Sequence, residues 1–171
     1  MLEVALQSNR SDTALNYRYA LLLRKIASDR HLELIHSFAR AFEPGDDNYV
    51  AQFWFARYAY ESGDLADRAK AKEIFRGLRR ARVPVAVRAK IRDKVVDSSG
   101  AARRFRGSIK RLQETYGVVE REDNRDWSDL KRRTNANIWS SLRLGQTISF
   151  SIGYSYSGPV AFDVAIEGPR Q

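Results

Sequence analysis

The hydrophobic pattern of this 171-residue chain changes its period near residue 97, and that change constrains the fold most. Before it, apolar residues recur every three or four positions, which is typical of amphipathic helices. After it, short runs rich in β-branched and aromatic residues are separated by Gly and Pro, which is typical of strands and turns. We therefore expect an α+β chain with a helical domain at residues 1–97, a linker at 98–102 and a β domain at 103–171.

Four or five helices are expected in the first domain. Residues 1–11 show no period and predict a lead-in, and Ser11-Asp12 can cap the first helix with a side-chain oxygen. Breaks separate the later helices at Ser28-Asp29-Arg30, Pro44-Gly45, Gly63-Asp64 and Val83-Pro84. Apolar residues at Val87, Ile91 and Val95 predict a fifth helix after the last break.

A crowd of aromatic side chains marks the third helix. Its members are Tyr49, Phe53, Trp54, Phe55, Tyr58 and Tyr60. Large rings at helical spacing usually pack in a core, and a ligand groove is the alternative.

The third and fourth helices resemble a tetratricopeptide (TPR) repeat, in which two antiparallel helices meet at small residues. The positions that carry the resemblance are Ala56, Gly63-Asp64, Ala71, Phe75 and Pro84. Gln52 stands where that family has tryptophan, and a generic helical hairpin is the alternative. The resemblance implies TPR-like hairpins that bind a protein partner. Two such units fall short of the about three that a solenoid needs, so we expect the C-terminal part of a larger multidomain protein, with capping by the β domain as the alternative.

Positive charge is concentrated in the middle of the chain. Residues 68–111 hold 16 Lys and Arg against 3 Asp and Glu, while the net charge of the whole chain is +9. Such a block attracts polyanions, although a solvated helical face is the alternative. The predicted basic helical face consists of Arg68, Lys72, Arg76, Arg79, Arg88 and Arg92.

The β domain contains short runs in a fixed order. They are Gly107-Ser108-Ile109-Lys110-Arg111-Leu112, Tyr116-Gly117-Val118-Val119, Trp127-Ser128-Asp129-Leu130, and residues 146–154 and 159–166. This order resembles the cold-shock domain, a five-stranded barrel of the OB type that binds single-stranded nucleic acid. The resemblance implies that residues of about 103–167 form such a barrel.

The binding motifs of that family are only partly present. Its first strand carries a lysine and then two aromatic residues; Lys110 matches the lysine, and Arg111-Leu112 replaces the rings. Its second strand has two rings around a glycine, of which Tyr116 is kept and Val118 replaces the other. The motif of its third strand is absent unless Trp127 substitutes for its ring.

These departures predict a charged face with isolated stacking platforms. Arginine partly replaces a ring, because its planar guanidinium stacks on a base and pairs with phosphate. Binding should therefore depend strongly on salt and weakly on sequence. The predicted nucleic-acid-binding residues are Arg104, Arg106, Lys110, Arg111, Tyr116, Trp127, Lys131, Arg132, Arg133 and Trp139. Alternatively, Tyr116 and Trp139 only cover the barrel, and Lys131-Arg132-Arg133 is an ordinary solvated loop.

The sequence lacks the residues that several classes of protein require. The chain has no cysteine, so it can form neither a disulfide nor a Cys-based metal site. No apolar run approaches the about 18 residues of a membrane helix, and Met1-Leu2-Glu3 does not begin a signal peptide. We therefore expect a cytoplasmic protein without a membrane partner.

No catalytic constellation is visible either. His31 and His36 have no ligand cluster nearby, and neither a phosphate-binding glycine loop nor a nucleophile elbow occurs. An acidic run is most simply a hairpin with solvated charges, with a metal-dependent nuclease site as its alternative; it comprises Glu120, Glu122, Asp123, Asp126 and Asp129. We expect no enzyme, no metal and no cofactor.

Two functions follow as hypotheses. The first is a non-enzymatic module that binds RNA or single-stranded DNA, mainly through backbone charge. The alternative is a protein–protein interaction or sensor module at the C-terminus of a larger protein, in which the helices hold the partner.

Overall fold

The computed structural model describes Asn9 and residues 11–168. The chain forms two compact units, residues 1–84 and 85–171. Most of the expected lead-in, residues 1–8 and 10, lies outside the described residues. The segment predicted as a linker, 98–102, belongs to the second unit, where Val96 and Ala102 form an antiparallel bridge.

The described part of the first unit contains four helices: α1 (Thr13–Ile26), α2 (His31–Ala39), α3 (Tyr49–Tyr60) and α4 (Leu65–Leu78). Consecutive helices pack against each other. Asp12, Asn48 and Asp64 cap α1, α3 and α4, because each side chain accepts a hydrogen bond from a free backbone N–H of the first turn.

The aromatic residues of α3 form the core of the helical unit. Phe53, Phe55 and their neighbours on α3 are buried, and Phe38 of α2 stacks against Trp54 and Tyr58. Ala56 and Ala71 are completely buried, which suits the packing of α3 on α4. The rings thus have the core role predicted for them, except that Tyr49 is only partly buried.

Up to residue 168, the second unit contains a short α-helix, α5 (Val85–Ala89), and six strands. The strands are β1 (Asp93–Lys94), β2 (Arg104–Leu112), β3 (Tyr116–Arg121), β4 (Trp127–Lys131), β5 (Thr147–Ser155) and β6 (Gly158–Ile166). Strands β2, β3 and β4 form an antiparallel meander, and β5 pairs with β2. Strand β6 closes the barrel by pairing antiparallel with β5 and parallel with β4. The predicted α+β class, helices followed by a five-stranded barrel, is confirmed, and the strand order is consistent with an OB-like fold.

Apolar side chains at alternate positions of the strands fill the interior of the barrel. The inward side chains include Ile109, Val119, Leu130, Ile148 and Ile152, all completely buried. A Cβ atom on Gly107 would overlap the backbone carbonyl oxygen of Glu120 on β3, so only glycine fits this close approach of two strands.

The fifth helix was predicted too long. The spacing of Val87, Ile91 and Val95 is helical, but α5 ends at Ala89 and β1 pairs with β5 instead. The Val95 N–H donates to the Ile152 carbonyl at 2.9 Å, and the Ile91 side chain lies over Gly153, where a Cβ atom would leave it no room. Pairing with the barrel therefore overrides the local helical pattern.

Candidate functional site

Pairing of β2, β3 and β4 gathers several predicted residues on one side of the barrel. Tyr116 lies opposite Lys131, and Val118 lies between Arg111 and Asp129. The next row that points the same way brings Ser108, Glu120 and Trp127 together. We call this side the outer face; it is formed by Ser108, Lys110, Arg111, Tyr116, Val118, Glu120, Trp127, Asp129 and Lys131.

Tyr116 is held in place on the outer face by its neighbours. Its hydroxyl donates to Oδ1 of Asp129 at 3.1 Å, and Nζ of Lys131 lies 3.7 Å from the other oxygen of that carboxylate. The Tyr116 ring is half-buried. A ring with its hydroxyl fixed and one part exposed can stack on a planar ligand without further ordering.

A pocket of about 520 Å³ opens beside this ring. We call it the Tyr116 pocket; its lining residues are Thr115, Tyr116, Lys131, Arg132, Arg133 and Ala136. Arg132 and Arg133 are exposed, and neither guanidinium forms an ion pair within the described part of the chain. Three cationic side chains and one ring therefore converge on a single cavity.

Hydrogen bonds to neighbouring strands and turns anchor the loop that carries Arg132 and Arg133. Asn135 is 1% exposed, and its side-chain amide donates to the carbonyls of Lys131 and Ala161 at 3.2 and 3.1 Å. The Arg132 N–H donates to the Thr115 carbonyl at 3.1 Å. The backbone of the loop is thus tied both to β6 and to the turn before β3.

At the opposite end of the outer face, the Glu120 carboxylate contacts two cationic side chains. Its carboxylate accepts from the Trp127 indole N–H at 3.3 Å and lies 3.0 Å from Arg125 and 3.5 Å from Lys110. The hydrogen bond from Trp127, helped by the charges of Arg125 and Lys110 and opposed by burial, lowers the pKa of Glu120. Trp127 is 55% exposed and offers a ring here, but the cations beside it already have a counter-charge.

Arg104 and Arg106 lie toward the other end of β2 and are engaged in ion pairs. Arg104 contacts Asp163 at 2.9 Å and donates to the Ser149 hydroxyl at the same distance. Arg106 contacts Glu167 at 2.8 Å. Neither was predicted to be paired, because the partners come from β6 and the segment after it, far away in sequence.

Trp139 does not offer a stacking platform. Its ring is 8% exposed, on a short 3₁₀ turn between β4 and β5. A buried ring cannot present its face to a base, so the alternative role of covering the barrel fits Trp139 and we leave it out of the site.

The predicted basic helical face is divided between the two units. Arg68, Lys72, Arg76 and Arg79 belong to the helical unit, whereas Arg88 and Arg92 belong to the barrel unit. Arg76 pairs with Glu73, the Lys72 ammonium lies 5.8 Å from the centre of the Tyr60 ring, and the Arg92 guanidinium lies 4.0 Å from the centre of the Tyr156 ring.

The acidic run consists of paired rather than free carboxylates. Glu122 lies 3.9 Å from Arg106, and Asp123 forms a two-pronged ion pair with Arg121. Asp126 is buried, which contradicts the expectation that the whole run is solvated. Across residues 11–168, no three His, Cys, Asp or Glu side chains are grouped so that they could hold a metal ion.

Sequence reasoning missed the residues that shape the pocket. Thr115 and Ala136 line it, Asp129 orients Tyr116, and Asn135 anchors the loop. The one usable signal was the period-2 alternation of β4, which puts Asp129 on the same side as Lys131. Nothing in the stretch from Thr134 to Asn137 indicated that Asn135 would be buried.

The second unit is thus a small five-stranded β-barrel, consistent with an OB-like fold, whose outer face carries cationic and aromatic side chains. No protein-family model matches the chain, and a search of curated proteins finds no significant match. In the part of the chain that the structure describes, every helix is too short or too polar to cross a bilayer.

Proposed function

We propose that the second unit is a cold-shock-like OB module that binds single-stranded RNA or DNA without catalysing a reaction. The strand runs over the outer face, with Arg111, Arg132 and Arg133 on its phosphates and Tyr116 beneath a base. Trp127 supplies a second, separate platform.

One observation carries this proposal: three arginines that form no ion pair with any described residue occupy positions next to Tyr116. Arg111 is exposed and lies diagonally across from Tyr116 on the neighbouring strand, whereas Arg132 and Arg133 flank it from the loop. An arginine without a counter-ion in the protein is free to release condensed ions from a nucleic acid, which is the main source of affinity for single strands.

The same face suggests weak base preference. Each exposed ring stacks on a base for about 1–3 kcal/mol whatever the base is. Trp127 lies opposite Glu120, which is four residues along β3 from Tyr116. The two rings are therefore about 13 Å apart along the strand direction at the usual strand rise. Two isolated platforms cannot read a continuous sequence, so phosphate charge dominates.

A fluorescence titration with a labelled single-stranded RNA of about ten nucleotides tests the proposal, since one OB barrel covers about 4–16 nucleotides. It is repeated at several salt concentrations and with the triple variant Arg111→Gln, Arg132→Gln, Arg133→Gln. The matched control is Arg80→Gln, Arg82→Gln, Lys90→Gln, which removes the same charge at exposed positions outside the outer face.

The expected result is a linear fall of log affinity with log salt at a slope of about −0.7 per phosphate contacted. The triple variant should lose about two units of that slope, and the control should lose little. The proposal is wrong if the wild-type chain shows no binding at low salt, or if the triple variant binds as well as the control.

A further inference from the structure

We infer that the Tyr116 pocket binds one nucleotide that carries a phosphomonoester, supplied either as a free mononucleotide or as the phosphorylated end of a strand. The inference rests on the proposed function in one respect, the choice of a nucleotide as ligand. It goes further by assigning the pocket a ligand of defined charge.

The size and lining of the pocket suit a nucleotide. Its volume of about 520 Å³ lies within the about 300–1,000 Å³ of small-molecule sites. Tyr116 forms one wall, and Thr115 and Ala136 add further contact surface. A base can stack on the ring while its phosphate reaches the cationic side of the same cavity.

The charge of the pocket favours a monoester over a diester. Arg132 and Arg133 come from consecutive positions, have no acidic partner among the described residues, and stand beside Lys131. A phosphomonoester carries a charge of about −1.5 to −2 at neutral pH, whereas a phosphodiester inside a strand carries one. Guanidinium groups also bind phosphate oxygens in pairs, so two of them gain most from a terminal phosphate with three free oxygens.

The pocket is built before any ligand arrives. Asn135 fixes the loop to Ala161 of β6, and Asp129 fixes the Tyr116 hydroxyl. The Arg132 N–H ties the loop to Thr115. Because the backbone and the ring are already ordered, a ligand must order only the two arginine side chains, which lowers the entropic cost of binding.

The carboxylate of Asp129 does not cancel the charge of the pocket. Its two oxygens already contact the Tyr116 hydroxyl and the Lys131 ammonium. That carboxylate reduces the contribution of Lys131, so the two arginines are the residues that select the phosphate.

Binding of adenosine monophosphate to the full chain, followed by nuclear magnetic resonance, tests the free-nucleotide source. Adenosine and inorganic phosphate are the reference ligands. We expect saturable shifts of the Thr115 and Ala136 amide signals with the nucleotide, and binding of adenosine weaker by about tenfold or more, since charge-assisted hydrogen bonds are the strong ones. Arg132→Gln with Arg133→Gln should abolish this difference, whereas Arg80→Gln with Arg82→Gln should keep it.

Oligonucleotides test the strand-end source. The same RNA is compared with a hydroxyl at both ends, with a 5′-phosphate, and with a 3′-phosphate. Preference for one phosphorylated end by about tenfold that disappears in the Arg132→Gln, Arg133→Gln variant would support a strand end. Binding of the mononucleotide without any end preference would support a free nucleotide.

Failure of the inference differs from failure of the proposed function. If the RNA binds with steep salt dependence but terminal phosphates make no difference and the mononucleotide does not saturate at about 10 mM, a range far weaker than useful affinity, the pocket inference is overturned and strand binding stands. If the mononucleotide binds and no RNA binds, strand binding is overturned instead. The variant Arg132→Lys, Arg133→Lys guards against misfolding, because it keeps the charge and should retain part of the phosphate preference.

Discussion

The Tyr116 hydroxyl on β3 donates a hydrogen bond to Asp129 on β4, 3.1 Å away. This cross-strand hydrogen bond sets the position of the ring beside the pocket. The Tyr116 side chain thus has two separable roles: its hydroxyl orients the ring, and its ring is the surface on which a base would stack.

Substitutions at Tyr116 can therefore separate orientation from stacking. Tyr116→Phe keeps the ring and should cost about 0.5–1.5 kcal/mol of unfolding free energy from the lost hydrogen bond, with little loss of RNA affinity. Tyr116→Leu removes the ring and should weaken RNA binding by about 1–3 kcal/mol. Thermal unfolding and the RNA titration measure the two effects; equal RNA affinities for both variants would contradict a stacking role.

Arg111 and Arg104 should behave differently although both are on β2. Arg111 has no ion pair among the described residues, while Arg104 is held by Asp163 and Ser149. Arg111→Gln should lower the salt slope of RNA binding by about 0.7, the value for one phosphate on a single strand. Arg104→Gln should leave the slope unchanged and cost up to about 1 kcal/mol of stability, as exposed pairs do. A loss of slope in Arg104→Gln alone would contradict the assignment.

Removing the charge of Glu120 should strengthen RNA binding. Because its pKa is lowered, first by the Trp127 hydrogen bond, Glu120 is ionised at neutral pH, and its single negative charge offsets part of the positive charge of Lys110 and Arg125. Glu120→Gln would free these two cations for phosphates, and the salt slope should rise by up to about 0.7 for each. The control Glu43→Gln changes the net charge equally at an exposed position of the helical unit. If both variants gain equally, only the net charge matters.

The loop beside the pocket depends on one buried amide. Asn135→Ala leaves the carbonyls of Lys131 and Ala161 without this donor, and an unsatisfied buried polar group costs about 1–3 kcal/mol. The unfolding free energy should fall by that amount, and RNA or nucleotide affinity should fall as well because the arginines lose their fixed base. Asn137→Ala, at an exposed position of the same loop, should change neither. Unaltered affinity in a destabilised Asn135→Ala chain would show that the anchor serves the fold alone.

Strands and helix ends can be predicted from the sequence only where a local pattern of residues marks them. The strands were predictable because alternation and Gly or Pro punctuation are local, as for Tyr116-Gly117-Val118-Val119 and for Gly158-Pro159 at the start of β6. The end of α5 was not predictable, since the Val95 N–H donates to Ile152 of β5, almost sixty residues later. Local spacing cannot report a partner at that distance.

The binding surface was predictable in composition but not in geometry. Residue types alone made Tyr116 and Arg132 candidates, and the structure brings them to one pocket. The same reasoning included Arg104, whose ion pair with Asp163 depends on barrel closure, and Trp139, whose burial depends on the path of the loop. A charge or a ring is visible in a sequence, whereas its counter-ion and exposure are tertiary properties.

The stability of the barrel in acid should depend on the ion pair between Arg121 and Asp123. Arg121 is 3% exposed, and its guanidinium lies over the Phe105 ring and pairs with Asp123. Burial alone would raise the pKa of Asp123, but the hydrogen bonds and charge of Arg121 outweigh it, so the pKa of Asp123 is lowered below 3.8. The ion pair therefore stabilises the barrel fully at pH values above the aspartate's ordinary range, and this stability is lost as the pH falls through the lowered pKa.

Asp123→Asn should cost about 1.5–3 kcal/mol of unfolding free energy at neutral pH, the range for hydrogen bonds to charged groups, and should flatten the fall of stability in acid. Urea unfolding followed by amide signals of the barrel, at neutral pH and at about pH 3, measures both effects against Asp29→Asn, an exposed aspartate of the helical unit. An acid profile for Asp123→Asn as steep as that of the wild-type chain would show that other carboxylates set the acid limit of the barrel.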